Sequence, residues 1–140
     1  MSLKSLSTGI LTTIIVSAGG SANAQDAFLG KSEFVQRCAV CHGEEGAGDG
    51  MVGELFATRP RDLRVIARGN GGTFPLDAVY ESIDGQRDVA AHGWREMPIW
   101  GDYLNAEALE NRNISAADAA MVVEARIVAL ALYIQSIQIP

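Results

Sequence analysis

Cysteine, proline and aromatic residues are scarce in this chain of 140 residues, which has two cysteines, four prolines and 6% aromatic side chains. It contains no internal repeat, no low-complexity tract and no proline-rich linker, and its length suits a single domain. No segment shows the alternation of apolar and polar side chains that is typical of a β-strand. The sequence therefore predicts an all-α fold, with long loops that need something to pack against.

Positive charge is also in short supply, with 11 Lys and Arg against 17 Asp and Glu and a formal net charge of −6. Phosphate groups bind to basic faces, so neither nucleic acid nor an anionic membrane surface is an expected partner. A nucleotide-binding loop is missing too: five glycines fall between Gly43 and Gly53, but no strand precedes them and no Gly-Lys-Ser/Thr closes them. An acidic protein is instead steered toward basic patches on its partners.

No apolar run reaches the length of about 20 residues that a membrane-spanning helix needs. The stretch from Gly9 to Ala18 is short, one basic residue, Lys4, precedes it, and small residues from Ala22 to Ala24 follow it. These are the marks of a secretory signal peptide, so we expect residues 1–24 to be cleaved after Ala24 and the mature domain, residues 25–140, to be periplasmic without a membrane span. Retention of the segment as an N-terminal anchor is the alternative.

Apolar residues at helical spacing predict four helices. Phe34, Cys38 and Cys41 recur at spacings of four and three, which places them on one face of the first helix. The stretch from Gln86 to Asn113 is predicted to be mostly loop, with a short helical piece near Asn105 to Glu110. The predicted helices are Ala27 to Cys41, Pro60 to Gly69, Phe74 to Gly85 and Ile114 to Ile137.

Both cysteines lie in Cys38-Ala-Val-Cys41-His42, a pattern that has four interpretations. A redox dithiol of the thioredoxin kind expects alternating strands and helices, which the sequence does not predict. A structural zinc site needs four ligands, and the motif together with the distant His92 just provides four. A disulfide would close a very small loop and stabilise little, although export favours oxidised thiols. Attachment of a c-type haem, which we favour, uses all three motif residues: each thiol adds across one vinyl group, and His42 supplies an axial nitrogen.

The candidates for the second axial ligand are His92 and the methionines after the motif. Met51 follows the motif too closely to reach the opposite face of a haem, and Met121 lies inside the predicted last helix, where methionine usually fills a core. Met97 is followed by Pro98, which disfavours helix at Met97 and leaves an extended loop that presents the thioether. We therefore expect Met97 to be the ligand, with His92 as the rival. Ligation by His and Met leaves no open site on the iron.

Two motifs, "CAVCHG" (Cys38 to Gly43) and "MPIWG" (Met97 to Gly101), and an apolar C-terminal helix resemble those of the monohaem class I c-type cytochromes that Proteobacteria export. The resemblance covers nearly all of residues 25–140. It implies a cytochrome c-like fold, with helices and long loops wrapped around one covalently bound haem c. It also implies that the two cysteines attach the haem and that the motif histidine and the methionine bind its iron.

This family pairs a glycine and an aromatic residue of its first helix with an aliphatic and an aromatic residue of its last helix. Gly30 and Phe34 match the first pair, and Leu130 and Tyr133 match the second. The resemblance implies that Gly30 lets the two helices cross closely and that Phe34 packs on Tyr133 beside the haem. Trp100 is expected to contact the haem, by donating its indole N–H to a propionate, or else to pack in the core.

The chain departs from the family pattern after the haem motif. Many members have a proline there whose carbonyl oxygen accepts a hydrogen bond from the ring N–H of the ligand histidine, whereas the first proline here is the more distant Pro60. Ligating histidines nearly always donate this second ring N–H, so we expect His42 to find another carbonyl partner.

The resemblance implies a one-electron carrier rather than an enzyme, with exported or membrane-bound redox proteins that have basic docking surfaces as its partners. Two alternatives remain open. One is an electron-entry subunit bound permanently to an exported dehydrogenase or reductase, which predicts an apolar patch around the haem edge. The other is a ligand-binding haem sensor or peroxidase-like protein, in which the bond to Met97 is weak or absent.

Overall fold

The structure is a computed structural model and describes residues 21–56, 58–86, 97–112 and 114–140. Over these ranges the chain forms helices, turns and loops without a β-strand, which confirms the predicted all-α class. Most of the predicted signal peptide and the rival ligand His92 lie outside the described ranges, so both remain predictions. The α-helices of these ranges are α1 (Ser21–Glu33), α2 (Ala39–His42), α3 (Leu76–Asp84), α4 (Trp100–Arg112) and α5 (Ala116–Ser136).

The first helical segment starts earlier than predicted and changes type near its end. α1 begins at Ser21 and is followed without a break by a π-helical turn (Phe34–Cys38) and then by α2. In this turn the N–H of Ala39 donates to the carbonyl oxygen of Phe34, five residues earlier. Such turns are rare and are frequently found at functional sites. This one ends at the first cysteine of the motif.

α1 and α5 cross in close contact at Gly30. A Cβ atom built there would overlap the carbonyl oxygen of Ala129 and would come within 2.8 Å of the Tyr133 Cβ atom. The ring centroids of Phe34 and Tyr133 lie 5.2 Å apart, and Phe34 is completely buried. The predicted packing of the first helix on the last is therefore confirmed.

α5 is the central element of the core, because α1, α3 and α4 all pack on it. Its N-terminus is capped by Ser115, whose hydroxyl oxygen accepts a hydrogen bond from the N–H of Asp118 at 3.2 Å. Its side chains Ile127 and Ile134 are buried. The prediction of a buried helix from Ile114 to Ile137 is confirmed. Among the helices of the described ranges, none is both long enough and apolar enough to cross a membrane.

α3 also agrees with its prediction. It ends at Gly85, whose N–H donates to the carbonyl oxygen of Glu81 at 3.0 Å and so closes the last turn. Val79 and Ile83, four residues apart on one face of α3, are buried in the core.

The single helix predicted from Pro60 to Gly69 is wrong. The carbonyl of Arg64, which an α-helix over this segment would pair internally, accepts from the N–H of Ile139 at 2.9 Å instead. The N–H of Leu63 donates to the carbonyl of Gly46 at 2.7 Å. These bonds connect the segment to the loop after the cysteine motif (Cys38 to His42) and to the C-terminus. The segment is reduced to two short 3₁₀ turns, Leu63–Val65 and Arg68–Asn70.

The loop predicted from Gln86 to Asn113 is wrong over the residues that α4 occupies. The short piece predicted near Asn105 to Glu110 is part of a helix of 13 residues. Leu104 and Ala108, four residues apart, are 0% and 1% exposed. Burial of this narrow stripe in the core extends the helix over first residues that have weak helical propensity, because packing outweighs propensity.

Candidate functional site

The two sequence motifs meet at one cleft. The empty space inside it, with the open mouth included, is about 530 Å³. One part of the lining comes from the π-helical turn and α2, and another comes from the start of α4 and the residues before it. The lining residues are Arg37, Cys38, Cys41, His42, Phe56, Thr58, Pro60, Met97, Pro98 and Trp100.

The glycine-rich loop after the motif folds back over α2. A helix leaves its last four carbonyl groups without partners inside the helix. Here the loop supplies all four donors, at 2.8 to 3.2 Å. The pairs are Gly43 N–H to Ala39 O, Val52 N–H to Val40 O, Gly50 N–H to Cys41 O and Gly48 N–H to His42 O. Main-chain bonds therefore hold the backbone of the motif in place.

The ring of His42 is oriented by the main chain of a second loop. Its Nδ1–H donates to the carbonyl oxygen of Arg61 at 3.1 Å. A carbonyl has no proton to give, so the neutral ring carries its proton on Nδ1 and its lone pair on Nε2, the form that binds a metal. Gly48, at φ +81°, brings the two loops together, and a Cβ there would overlap the carbonyl oxygen of Pro60. Arg61, directly after Pro60, is the carbonyl partner that the sequence did not identify.

Met97 and Trp100 line the cleft and also pack against the core. Trp100 begins α4 and meets the ring of Tyr103 edge-on, with 5.6 Å between the ring centroids. Phe34 and Tyr133, the other two predicted haem contacts, are buried in the core and are not among the lining residues. The cleft thus brings together the motif residues, Met97 and Trp100, whereas the aromatic pair supports the helix crossing.

Both thiols of the motif are free, and burial keeps them protonated. Burial raises the pKa of the Cys38 thiol to about 12, against the smaller lowering effect of the neighbouring Arg37 cation. Burial also raises the pKa of Cys41. A redox dithiol reacts as a thiolate and therefore needs a lowered pKa. This environment disfavours the dithiol interpretation.

The zinc interpretation finds no support in the part of the chain that the structure describes. Over those residues, no three His, Cys, Asp or Glu side chains are grouped so that they could hold a metal ion. A closed zinc site needs four such ligands in tetrahedral contact. The fourth predicted zinc ligand, His92, lies outside the described ranges.

Arg37, next to the first cysteine, belongs to a network of two positive and two negative charges beside the cleft. Its guanidinium contacts Glu33 and Glu107, each at 2.8 Å. Arg126 of α5 contacts the same two carboxylates, at 2.8 and 3.2 Å. Glu33 and Arg126 are only 7% and 8% exposed. The sequence analysis missed this network, whose one visible sign was the helical spacing of four between Glu33 and Arg37.

The Nε atom of Arg37 is buried and has no hydrogen-bond partner among the described residues. An unpaired buried donor costs about 1–3 kcal/mol. A haem combines a large apolar ring with carboxylates and vinyl groups. The cleft offers it apolar walls, two thiols, an oriented imidazole and a thioether. The residues present therefore fit a covalently bound haem.

Comparison of the chain with protein-family models, with curated proteins and with solved structures gives no match. The basis for assigning a function is therefore the chemistry of the cleft itself.

Proposed function

We propose that this chain is a one-electron carrier that binds one haem c covalently in the cleft. The observation that carries the proposal is the convergence of Cys38, Cys41, His42 and Met97 on one apolar cleft, with the imidazole already oriented by the Arg61 carbonyl. Neighbouring residues alone would line a common cleft by proximity, but Met97 reaches it from a separate part of the chain. The raised thiol pKa values count against the alternative of dithiol chemistry.

Each residue has a separate part in this function. The S–H groups of Cys38 and Cys41 would each add across a vinyl group, so that a C–S bond forms and the thiol proton passes to the adjacent vinyl carbon. The hydrogen bond from His42 to Arg61 fixes the ring and would raise its basicity as a ligand. Met97 would supply the second protein ligand of the iron, and the apolar lining would exclude water and raise the potential. When bound, the haem supplies an iron that cycles between the ferrous and ferric states.

The proposed setting follows from the N-terminal sequence and the charge. Export of the chain, with cleavage after Ala24, would place the domain of residues 25–140 in the periplasm, where c-type haem is attached. That domain has 17 acidic residues against 10 Lys and Arg, so its formal net charge is −7. Its proposed partners are exported or membrane-bound redox proteins with basic docking surfaces.

The test is an absorption spectrum of the exported, haem-loaded protein in both oxidation states, with and without carbon monoxide. We expect a low-spin c-type spectrum, a weak methionine-to-iron band at the red edge, and no change with carbon monoxide. Met97→Ala should abolish the red-edge band. Met51→Ala and Met121→Ala are matched controls, because these methionines are 84% and 61% exposed and should leave the band unchanged.

Three other outcomes contradict parts of the proposal. If the parent protein lacks the methionine-to-iron band and the spectrum changes in His92→Ala, His92 is the ligand instead of Met97. A spectrum that shifts with carbon monoxide would show an accessible iron and favour the sensor or peroxidase-like alternative. A matured chain without haem would return the two cysteines to the disulfide interpretation.

One observation favours a second candidate, an electron-entry subunit of an exported dehydrogenase or reductase complex. Val40, Met51 and Leu55 are 47%, 84% and 82% exposed. The N–H of Val52 donates to the carbonyl of Val40 at 3.0 Å, so this apolar segment adjoins the motif helix. Gentle purification from the source cell decides between the two: a stoichiometric complex that Leu55→Lys dissociates would favour the subunit, and a monomer in both forms would favour the carrier.

A further inference from the structure

α4 carries part of the cleft lining at its start and part of the charge network in its middle. Trp100 is its first residue, and Met97 comes three residues earlier. Glu107, two turns further on, accepts hydrogen bonds on both carboxylate oxygens from Arg37, at 3.1 and 2.8 Å. Arg37 directly precedes Cys38. One ion pair therefore connects the cysteine-bearing turn to the helix that follows Met97.

The other two members of the network, Glu33 and Arg126, hold this ion pair in place. Arg126 binds Glu33 through two parallel hydrogen bonds, at 2.8 and 3.0 Å, and reaches Glu107 at 3.2 Å. The planar guanidinium forks restrict both distance and direction, which a single lysine charge would not do. Because Glu33 and Arg126 are buried, separating either from its partner leaves an uncompensated charge in the interior.

We propose that Glu107 and Arg126 are positioning residues, which hold the α4 side of the cleft against the cysteine-bearing turn and so keep Met97 at the iron. This inference rests on the proposed function. If α4 moves away from the turn, the ion pair between Arg37 and Glu107 has to break. Arg126 fixes the geometry of that ion pair through its own hydrogen bond to Glu107. The network therefore raises the free energy of every state in which the cleft opens and Met97 leaves.

The experiment measures how readily imidazole replaces Met97 in the oxidised, haem-loaded protein, by titration of the red-edge methionine band. We expect Glu107→Gln to bind imidazole about tenfold more tightly than the parent, a coupling typical of residues in one network. Glu107→Asp keeps the charge but shortens the side chain, so it should show the same gain. Arg126→Lys should also act in this direction, and it serves if Glu107→Gln does not fold.

Two control variants separate positioning from general effects. Ile83→Val removes a methyl group from a buried side chain of α3, outside the network, and lowers global stability alone. Glu54→Gln removes a negative charge from an exposed pair in which the Arg59 and Glu54 side chains are 69% and 66% exposed. Neither control should change the imidazole affinity by more than about twofold.

The outcomes distinguish this inference from the proposed function. A haem-loaded protein whose imidazole affinity is unchanged in Glu107→Gln overturns the positioning role alone. Tighter binding in Glu107→Gln but not in Glu107→Asp would assign the effect to charge and also overturn it. An equal gain in imidazole affinity in Ile83→Val would show that the effect comes from lower global stability, and it would overturn the positioning role. A chain that carries no haem overturns the proposed function and this inference together.

Discussion

Gly30 determines how closely α1 and α5 cross. Replacing it with alanine places a methyl group on the carbonyl of Ala129, a backbone atom that cannot rotate away. The helices have to separate, so we expect Gly30→Ala to lower the free energy of unfolding by about 1–3 kcal/mol, as for other overpacked sites. Urea denaturation of the haem-loaded protein measures this loss.

Lys31→Ala is the matched control for that prediction, since Lys31 is the exposed next residue of the same helix. It should change the free energy of unfolding by less than about 0.5 kcal/mol. Equal stabilities of Gly30→Ala and the parent would mean that the crossing tolerates a wider separation than its geometry indicates.

Arg61 shows why some site residues have no signature in a sequence. It acts through its main-chain carbonyl, which every residue possesses, so its identity predicts nothing about this contact. The motif side chains, by contrast, could be predicted to lie together, because Cys38, Cys41 and His42 are within one turn of chain, and they line the same cleft. The aromatic pair of Phe34 and Tyr133 was also predictable as a contact, but its distance from the cleft depends on tertiary packing.

Among the elements, α4 is the one that the sequence predicted least well. Its start, with tryptophan, glycine and aspartate, has weak helical propensity, and its buried stripe is limited to Leu104 and Ala108. α3 and α5 have broader apolar patterns and clear end signals, so their prediction succeeded. The partners of Glu107, Arg37 and Arg126, come from two other elements and lie 70 and 19 residues away in the chain. A local sequence pattern does not predict contacts between residues that are so far apart in the chain.

The network also gives α4 a dependence on pH. Burial raises the pKa of Glu107, but the hydrogen bonds and charges of Arg37 and Arg126 outweigh burial and hold that pKa below its ordinary value. A carboxyl group with a depressed folded-state pKa stabilises the fold above its unfolded pKa, and this contribution is lost as the pH falls through the folded pKa. We therefore expect Glu107→Gln to cost about 1 kcal/mol at pH 7, and to cost progressively less as the pH falls through the depressed folded-state pKa of Glu107.

Denaturation at a series of pH values, compared with Glu54→Gln, measures this effect. The exposed Glu54 pair should contribute little at any pH. A stability difference between Glu107→Gln and the parent that stays constant while the carboxyl groups of the folded protein are titrated would show that the carboxylate charge of Glu107 contributes nothing.

At the scale of the whole molecule, the excess of acidic residues should govern encounters with charged redox reagents. The rate constant for reduction of the haem-loaded protein by the hexaammineruthenium(II) cation should fall about tenfold between 0.01 and 0.15 M salt, because ions screen the attraction. Reaction with the ferricyanide anion should change in the opposite direction. Equal salt dependence for both reagents would show that the net charge of the protein does not govern these encounters.

The π-helical turn at Phe34–Cys38 lets one continuous stretch of helix serve two environments. An α-helix advances about 100° per residue, and a π-turn takes up one extra residue before the helix resumes. The turn therefore rotates the residues that follow it around the helix axis. Phe34 is buried in the core, while Cys38 lines the cleft. Straightening the helix would rotate the motif by one residue step. A regular helix could then pack on α5 or place its cysteines at the cleft, but it could not do both.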